Sequence, residues 1–362
     1  MGLLSAFVIL CFLIFFHELG HFIIAKVCGV KVEAFSIGFW KEIVAFEFRG
    51  TRYKFCVIPL GGYVKMKGEN TARTGEYKEY SGVTQNTRES LDSDSFVAKS
   101  PAQKIAILLG GVGFNFLLGF LLYVVVCAVG FNALSPVIGE VLDSMPAKQA
   151  GLQRGDKILS INNKDVRSFE ELSDILSNAS GAIPLVIERD SQIMQKTLVP
   201  TISSATNIFG EKIERAFIGI RASGEVQTVK FEGFEIFDKA LDRTLFATKV
   251  IFQSIQKLIT GVISHDQISS VIGITDGLSK ASEEGIILLL SFSALISINL
   301  AILNLLPIPP LDGGGIVFTL YEAIFKSPPP ERVMFLISAF GISVLVCVML
   351  LGVYNDINRL IG

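Results

Sequence analysis

Four apolar runs, at residues 3–27, 105–131, 286–306 and 333–354, are each long enough to cross a bilayer as a helix. A span needs about 20 such residues. Inside hydrocarbon every backbone amide must be satisfied within the protein, which leaves helices or a closed barrel, and runs of this length select helices. The composition agrees. Half of the 362 residues are apolar, and 28 Phe stand against one Trp, with a mean hydropathy of +0.54. A net charge of -2 offers no bulk attraction to nucleic acid, so no nucleic-acid partner is expected. Cys11, Cys28, Cys56, Cys127 and Cys347 are scattered without a CxxC pair and read as small buried hydrophobes.

The first run contains His17-Glu18-Leu19-Gly20-His21. On a helix the two histidines, four apart, share one face and can grip one metal ion, with Glu18 beside them to take a proton from water. Ionisable groups inside a membrane span are costly and mark a functional site by default. The run lacks a basic leading segment and a small-residue cleavage site, so it is expected to be a retained helix and not a removable signal peptide.

The loop between the first two runs is rich in Lys and Arg, from Lys31, Lys41, Arg49 and Arg52 through Lys99 and Lys104. Such an excess marks the cytoplasmic side, and Lys326 and Arg332 after the third run agree. Both termini and the large insert between the second and third runs then face outward. Within the cytoplasmic loop, residues 53–57 and 63–66 flank Pro59-Leu60-Gly61-Gly62, a hairpin signal with its turn at the prolyl-glycyl stretch. Residues 69–94 read as a polar linker. In the insert, residues 135–204 read as an independent module: a strand at 137–141, a double turn Gly151-Leu152-Gln153-Arg154-Gly155-Asp156, a strand at 157–161, a helix after Ser168 with Glu171 as its capping-box partner, and a strand at 183–189. This order resembles a PDZ domain. Residues 235–263 have the spacing of an amphipathic helix, and 269–278 read as a weakly apolar piece that dips into the membrane.

Two histidines leave a zinc ion in need of a third protein ligand. The third run ends in Asn304-Leu305-Leu306-Pro307-Ile308-Pro309-Pro310-Leu311-Asp312-Gly313-Gly314. The prolines break the helix, and irregular backbone at membrane depth is tolerated where protein buries it or water reaches it. Asp312 is thus a carboxylate beside a cavity. Asp-Gly-Gly serves equally well as the turn after a proline stop; the intramembrane HExxH is what favours ligation.

Together, HExxH on the first span, Asn-x-x-Pro-x-Pro-x-Leu-Asp-Gly on a later one and a PDZ-like unit between them resemble the site-2 protease family, in its bacterial RseP-type branch. The resemblance implies a polytopic α-helical membrane protein of about four transmembrane helices, with a cytoplasmic membrane-associated β-hairpin and an inserted α+β PDZ-like domain. It implies these divisions: 1–30 first span, 31–104 cytoplasmic loop with the hairpin, 105–131 second span, 132–205 PDZ-like domain, 206–285 linker with an amphipathic helix, 286–315 third span, 316–332 cytoplasmic loop, 333–362 fourth span. It implies one zinc ion per chain on His17, His21 and Asp312, with Glu18 as catalytic base. Asn304, Pro307 and Pro309 would help hold the substrate segment, as would Gly61, Gly62 and Tyr63 in the re-entrant hairpin. The implied activity is hydrolysis of a peptide bond in a transmembrane segment. Substrates of the family are single-pass membrane proteins, such as a pre-trimmed anti-sigma factor or signal-peptide remnants. The implied setting is the lipid bilayer of the bacterial inner membrane, with the module outside and the site toward the cytoplasm. Relative to the family pattern, Gly315 stands where a His is common, and Gly111-Val112-Gly113-Phe114-Asn115-Phe116 lacks a proline. A non-catalytic PDZ scaffold and a metal transporter are the alternatives. The first would not need Glu18 or Asp312, and the second would show repeated halves.

Overall fold

The computed structural model describes residues 2–69, 92–177, 179 and 181–361; most of the polar linker expected at 69–94 lies outside the described residues. Among the described residues, four helices are long and apolar enough to cross a membrane: α1 (Gly2–Val27), α2 (Pro101–Val129), α7 (Ile286–Asn304) and α9 (Glu331–Ile361). The chain forms two compact units, residues 1–124 with 240–362, and residues 125–239.

In the first unit α1 and α2 approach closely where both carry glycine. A Cβ at Gly20 would overlap the Gly110 carbonyl, and one at Gly110 would lie 2.7 Å from Gly20 O. With lipid as solvent, helices gain by such close packing of small residues and not by hydrophobic exclusion. Between these helices lie β1 (Val32–Phe48) and β2 (Thr51–Met66), which pair with each other. The hairpin turn is at Arg49-Gly50, both with positive φ, and not at residues 59–62 as the Pro-Gly-Gly signal suggested. That signal marks instead a bend in β2, where Gly61 takes φ +127°; a matching bend in β1 has Gly38 and Trp40 at positive φ. The bends fold two long strands into four segments. Ala34 to Ile37 has partners on both sides, Lys65 to Gly62 on one and Arg52 to Phe55 on the other. Residues 62–66 therefore form one margin of the sheet and 44–48 the other. The root is packed by Ala25, Val30, Val32, Phe35, Val64, Met66 and Ile107.

The second unit is an α+β module: β3 (Phe131–Leu134), β4 (Ile138–Val141), α3 (Pro146–Gln149), β5 (Lys157–Ile161), β6 (Lys164–Asp165), α4 (Phe169–Ser177), β7 (Ile183–Arg189), β8 (Gln192–Leu198), β9 (Thr201–Thr206), β10 (Lys212–Phe217), β11 (Ile220–Ala222) and β12 (Val226–Val229). β5 to β8 make a four-stranded sheet in the order β6-β5-β7-β8, and β4 pairs with β11, β3 with β12. Ser168 caps α4, its Oγ accepting from Glu171 N at 3.1 Å, while Glu171 reaches back to Arg167 N at 2.9 Å. The module extends past the expected end at 205: the segment assigned to a linker supplies β10 to β12. Its return is forced by burial and pairing. Ile218 and Ile220 join the core of Ile138, Ile158, Ile161, Leu172, Leu185 and Ile187, and β11 satisfies backbone groups of β4 that would otherwise be orphaned.

Beyond the module, α5 (Glu235–Ile259) is amphipathic, but its buried stripe is Ala240, Thr244, Ala247 and Ile251. Its large residues Phe237, Leu241, Leu245, Phe246 and Phe252 are exposed. The piece at 269–278, expected to dip into the membrane, is part of a regular helix, α6 (Val271–Glu284), whose N-cap Ser270 accepts from Ile272 N. Leu278 and Ala281 of α6 pack with Ala6, Leu10 and Leu13 of α1 and with Leu289 and Ile296 of α7. The proline-rich segment then separates α7 from α8 (Asp312–Phe325), so most of the stretch assigned to a loop at 316–332 is helical. The apolar spacing of Ile316, Leu320 and Ile324 carries that helix once the prolines are passed. Cys56 and Cys127 are buried, as expected of small hydrophobes, whereas Cys347 is exposed on α9.

Candidate metal centre

Four elements meet around the HExxH turn of α1. His17 and His21 project from one face of that helix, as i and i+4 must, and the first residue of α8 brings Asp312 to them. Asp312 Oδ2 lies 3.3 Å from His17 Nε2 and 3.2 Å from His21 Nε2, and the two Nε2 atoms are 3.2 Å apart. The donor atoms of the three residues all fall within 4.8 Å of one another. Asp312 and His21 are each 2 % exposed and His17 9 %.

Local sequence explains each placement. Asp312 is delivered because the segment 305–311 cannot continue α7, having too few amide donors. Glycines then let the chain turn back tightly. A Cβ at Gly313 would overlap the carbonyls of Leu305 and Leu306, and one at Gly314 would lie 2.5 Å from Pro309 N. Pro309 is buried at this turn, also close to Gly341 of α9, and Pro307 is exposed. The Pro309–Pro310 peptide is cis. Asn304, the last residue of α7, reaches the cluster, its Nδ2 3.5 Å from His17 Nε2.

The imidazoles are held from behind by α2. His21 Nδ1 lies 2.9 Å from the carbonyl oxygen of Ile107, which can only accept, so Nδ1 carries the proton and a neutral ring turns the Nε2 lone pair to the cluster. His17 Nδ1 is 3.2 Å from the Asn115 amide. A Cβ at Gly111 would overlap His21 Nε2 and lie 2.6 Å from His17 Cε1. Only glycine leaves room for the rings. Gly111 and Asn115 belong to the stretch set above against the family pattern and Ile107 to no motif; that the three back the imidazoles follows from their spacing of four once α2 is known to face α1.

Two imidazoles and a carboxylate crowded lone pair to lone pair in a buried place repel unless a cation or protons lie between them. Two nitrogens and one oxygen also form a donor set suited to zinc. The residues therefore fit the ion. Glu18 is partly buried beside the cluster, and its Cγ would lie 3.3 Å from a Cβ built on Gly62. That contact brings the 62–66 margin of the hairpin against the HExxH glutamate. Gly61 is held at φ +127° with no room for a side chain beside the Phe39 ring, and Tyr63 stacks on Phe39 with centroids 6.2 Å apart. The expected site residues thus divide. His17, His21, Asp312, Glu18, Asn304 and Gly62 come together, Gly61 and Tyr63 flank Gly62, and Pro309 shapes the turn before Asp312.

Residues 5–348 match the model of peptidase family M50. A Campylobacter jejuni protein, provisionally named a zinc metalloprotease, is 42 % identical over 359 residues, covering 99 % of this chain and 94 % of its own. A Helicobacter pylori protein of the same provisional name is 42 % identical, covering 98 % of this chain and 99 % of its own. One from Rickettsia conorii is 33 % identical, covering 99 % of each chain. Among solved structures, a PDZ domain of an SdrC-like protein from Listeria monocytogenes aligns at 20 % identity, covering 25 % of this chain and 88 % of its own with a TM-score of 0.20. The family match and the full-length relatives cover the region that holds His17, His21 and Asp312, and on them the chain belongs to peptidase family M50, the site-2 protease family.

Proposed function

We propose that this chain is a zinc-dependent endopeptidase that cuts single-pass membrane proteins within or at the edge of their transmembrane segments. The observation that carries the proposal is the convergence of His17, His21 and Asp312 within 4.8 Å, with both histidines on a helix apolar enough to span a membrane and Asp312 at the start of the helix that follows another. His17, His21 and Asp312 would hold one zinc ion. When bound, zinc lowers the pKa of water toward about 7 and polarises a scissile carbonyl.

The remaining work falls to the chain's own groups. Glu18 accepts the proton of the attacking water and returns it to the leaving amine. Asn304, beside His17, donates its amide N–H to a carbonyl of the substrate backbone. A transmembrane helix hides its amides in internal hydrogen bonds, and unwinding it in low dielectric is costly unless the freed groups are paired again. The margin at residues 62–66 offers those partners by strand addition, and Gly62 sets that margin against Glu18. Suitable substrates include a pre-trimmed anti-sigma factor and signal-peptide remnants, in a bacterial inner membrane. We place the metal centre toward the cytoplasm and the module outside, on the excess of Lys and Arg between α1 and α2.

Glu18→Gln tests the chemistry. Zinc measured on the purified protein should stay at one per chain, while cleavage of a single-span substrate in proteoliposomes falls by about 10²- to 10⁴-fold. Undiminished turnover would remove Glu18 from the reaction. Prolines placed singly at 63, 64 and 65 test strand addition. At positions whose N–H faces the open margin, cleavage should slow with zinc retained, and three variants cleaving at the wild-type rate would exclude the margin as the substrate's partner.

A further inference from the structure

We infer that Asn115 is the positioning residue of His17, accepting a hydrogen bond from Nδ1 so that Nε2 is presented to the metal; this rests on the metal-centre reading above. Asn115 lies on α2 and is fully buried. Its carbamoyl nitrogen Nδ2 is the atom that faces His17 Nδ1, at 3.2 Å. Across the same ring, Nε2 faces the donor cluster, 3.3 Å from Asp312 Oδ2 and 3.2 Å from His21 Nε2. A neutral imidazole has one N–H. For Nε2 to give its lone pair to an ion, the proton must sit on Nδ1, and there it needs an acceptor.

The carbamoyl group can supply one. Its oxygen and nitrogen have nearly the same shape, so a half-turn about Cβ–Cγ presents either atom to the ring. Asn115 Oδ1 has no hydrogen-bond partner among the described residues. With Nδ2 toward the ring, Nδ1 must accept and the proton lies on Nε2, against Asp312. With Oδ1 toward the ring, the proton lies on Nδ1 and Nε2 is clear. Amide orientation and metal-ready tautomer are thus one choice. The position along α2 supports the assignment. Ile107, Gly111 and Asn115 are spaced by four and share one stripe: a carbonyl for His21, a gap for both rings and an amide for His17. Asn115 is also fixed from α7, where Ser297 Oγ donates to its backbone oxygen at 2.8 Å.

The test uses the full chain in detergent. Zinc affinity is measured by competition with a chelator, and the ligand-field spectrum is recorded after cobalt(II) substitution. Asn115→Leu keeps the shape and removes the acceptor; zinc affinity should fall about 10- to 100-fold and the cobalt spectrum should change. Asn115→Asp keeps an acceptor and should hold zinc close to wild type, a rescue that a packing role would not give. Wild-type zinc affinity and cobalt spectrum in Asn115→Leu would overturn the inference, as would loss in Asn115→Asp equal to that in Asn115→Leu. If Asn115→Leu does not fold, Asn115→Ala takes its place under the same criteria. His17→Ala, measured alongside, separates the two levels. Equal zinc binding in wild type and His17→Ala would defeat the metal-centre reading itself. Zinc lost in His17→Ala but kept in Asn115→Leu would defeat only the role of Asn115.

Discussion

Two aspartates of this chain are equally hidden and oppositely employed. Asp156, in the α+β module, is 0 % exposed, and Asp312, in the helical unit, is 2 % exposed. Arg189 answers Asp156 with Nε at 2.6 Å from Oδ1 and Nη2 at 2.7 Å from Oδ2, and Gln153 N adds a third bond at 2.8 Å. The guanidinium also donates to Gly151 O at 2.8 Å, tying the Gly-Leu-x-x-Gly-Asp turn to β7. The hydrogen bond to the Asp156 carboxylate raises the pKa of the Arg189 guanidinium above its ordinary value. Charge, donors and acceptors balance within the module. Asp312 instead faces two imidazole nitrogens on one oxygen, with acceptor lone pairs around it once His21 Nδ1 is committed to Ile107 O. A buried carboxylate with its own guanidinium belongs to the scaffold, while one set against two imidazole nitrogens is a donor set in which an ion would fit.

The sharpest way to break this contrast is to remove each carboxylate in turn. Asp312→Ala should abolish tight zinc binding with little loss of fold, read by metal analysis and thermal unfolding of the stripped protein. Asp156→Ala should leave zinc in place and destabilise the module by about 3 kcal/mol, because it strands Arg189. Swapped outcomes would erase the distinction. A smaller effect on the metal is expected from Gly111→Ala, whose methyl group would press on both imidazoles. Zinc affinity should drop by at least about tenfold, and an unchanged affinity would mean that α1 and α2 are free to shift apart.

The smallest effect at the metal centre is expected from removing the module. Val226 lies opposite Leu134, where β3 meets β12, and directly paired residues have Cα atoms only about 4.5–5.5 Å apart. Replacing residues 135–225 by a short flexible linker should therefore leave zinc bound and a pre-trimmed substrate cleaved. A substrate with a bulky outer domain should become newly cleavable if the module acts as a filter by size. Loss of cleavage of the trimmed substrate, with zinc intact, would mean that the module captures peptide instead.

Much of the helical unit was legible because lipid imposes one rule on every span. Runs of sufficient apolar length, and the polar groups that interrupt them, can be read directly. The hairpin departs from its local turn signal for a related reason. Pro-Gly-Gly is a strong local turn signal, but β2 was long enough to bend there and keep pairing, so the true turn fell to Arg49-Gly50. The module also ends later than its sequence pattern suggests. β10 to β12 are short and mix polar with apolar residues, and what makes them part of it is the return of Ile218 and Ile220 to the core of Ile138, Ile158 and Ile161.

By itself, the sequence determined that the chain spans a membrane, that His17, Glu18 and His21 share a helix, and that Asp312 follows a proline-broken span. Each is a consequence of local spacing, hydrophobic length or missing amide donors. Only the tertiary structure decided that Asp312 meets those histidines, that Gly62 abuts Glu18, and that Ile107, Gly111 and Asn115 back the two rings. These contacts join residues up to nearly 300 positions apart. No periodicity encodes them, because they depend on which faces of separate helices pack together, and small residues such as Gly20, Gly110 and Gly111 set that choice only once both helices are in place.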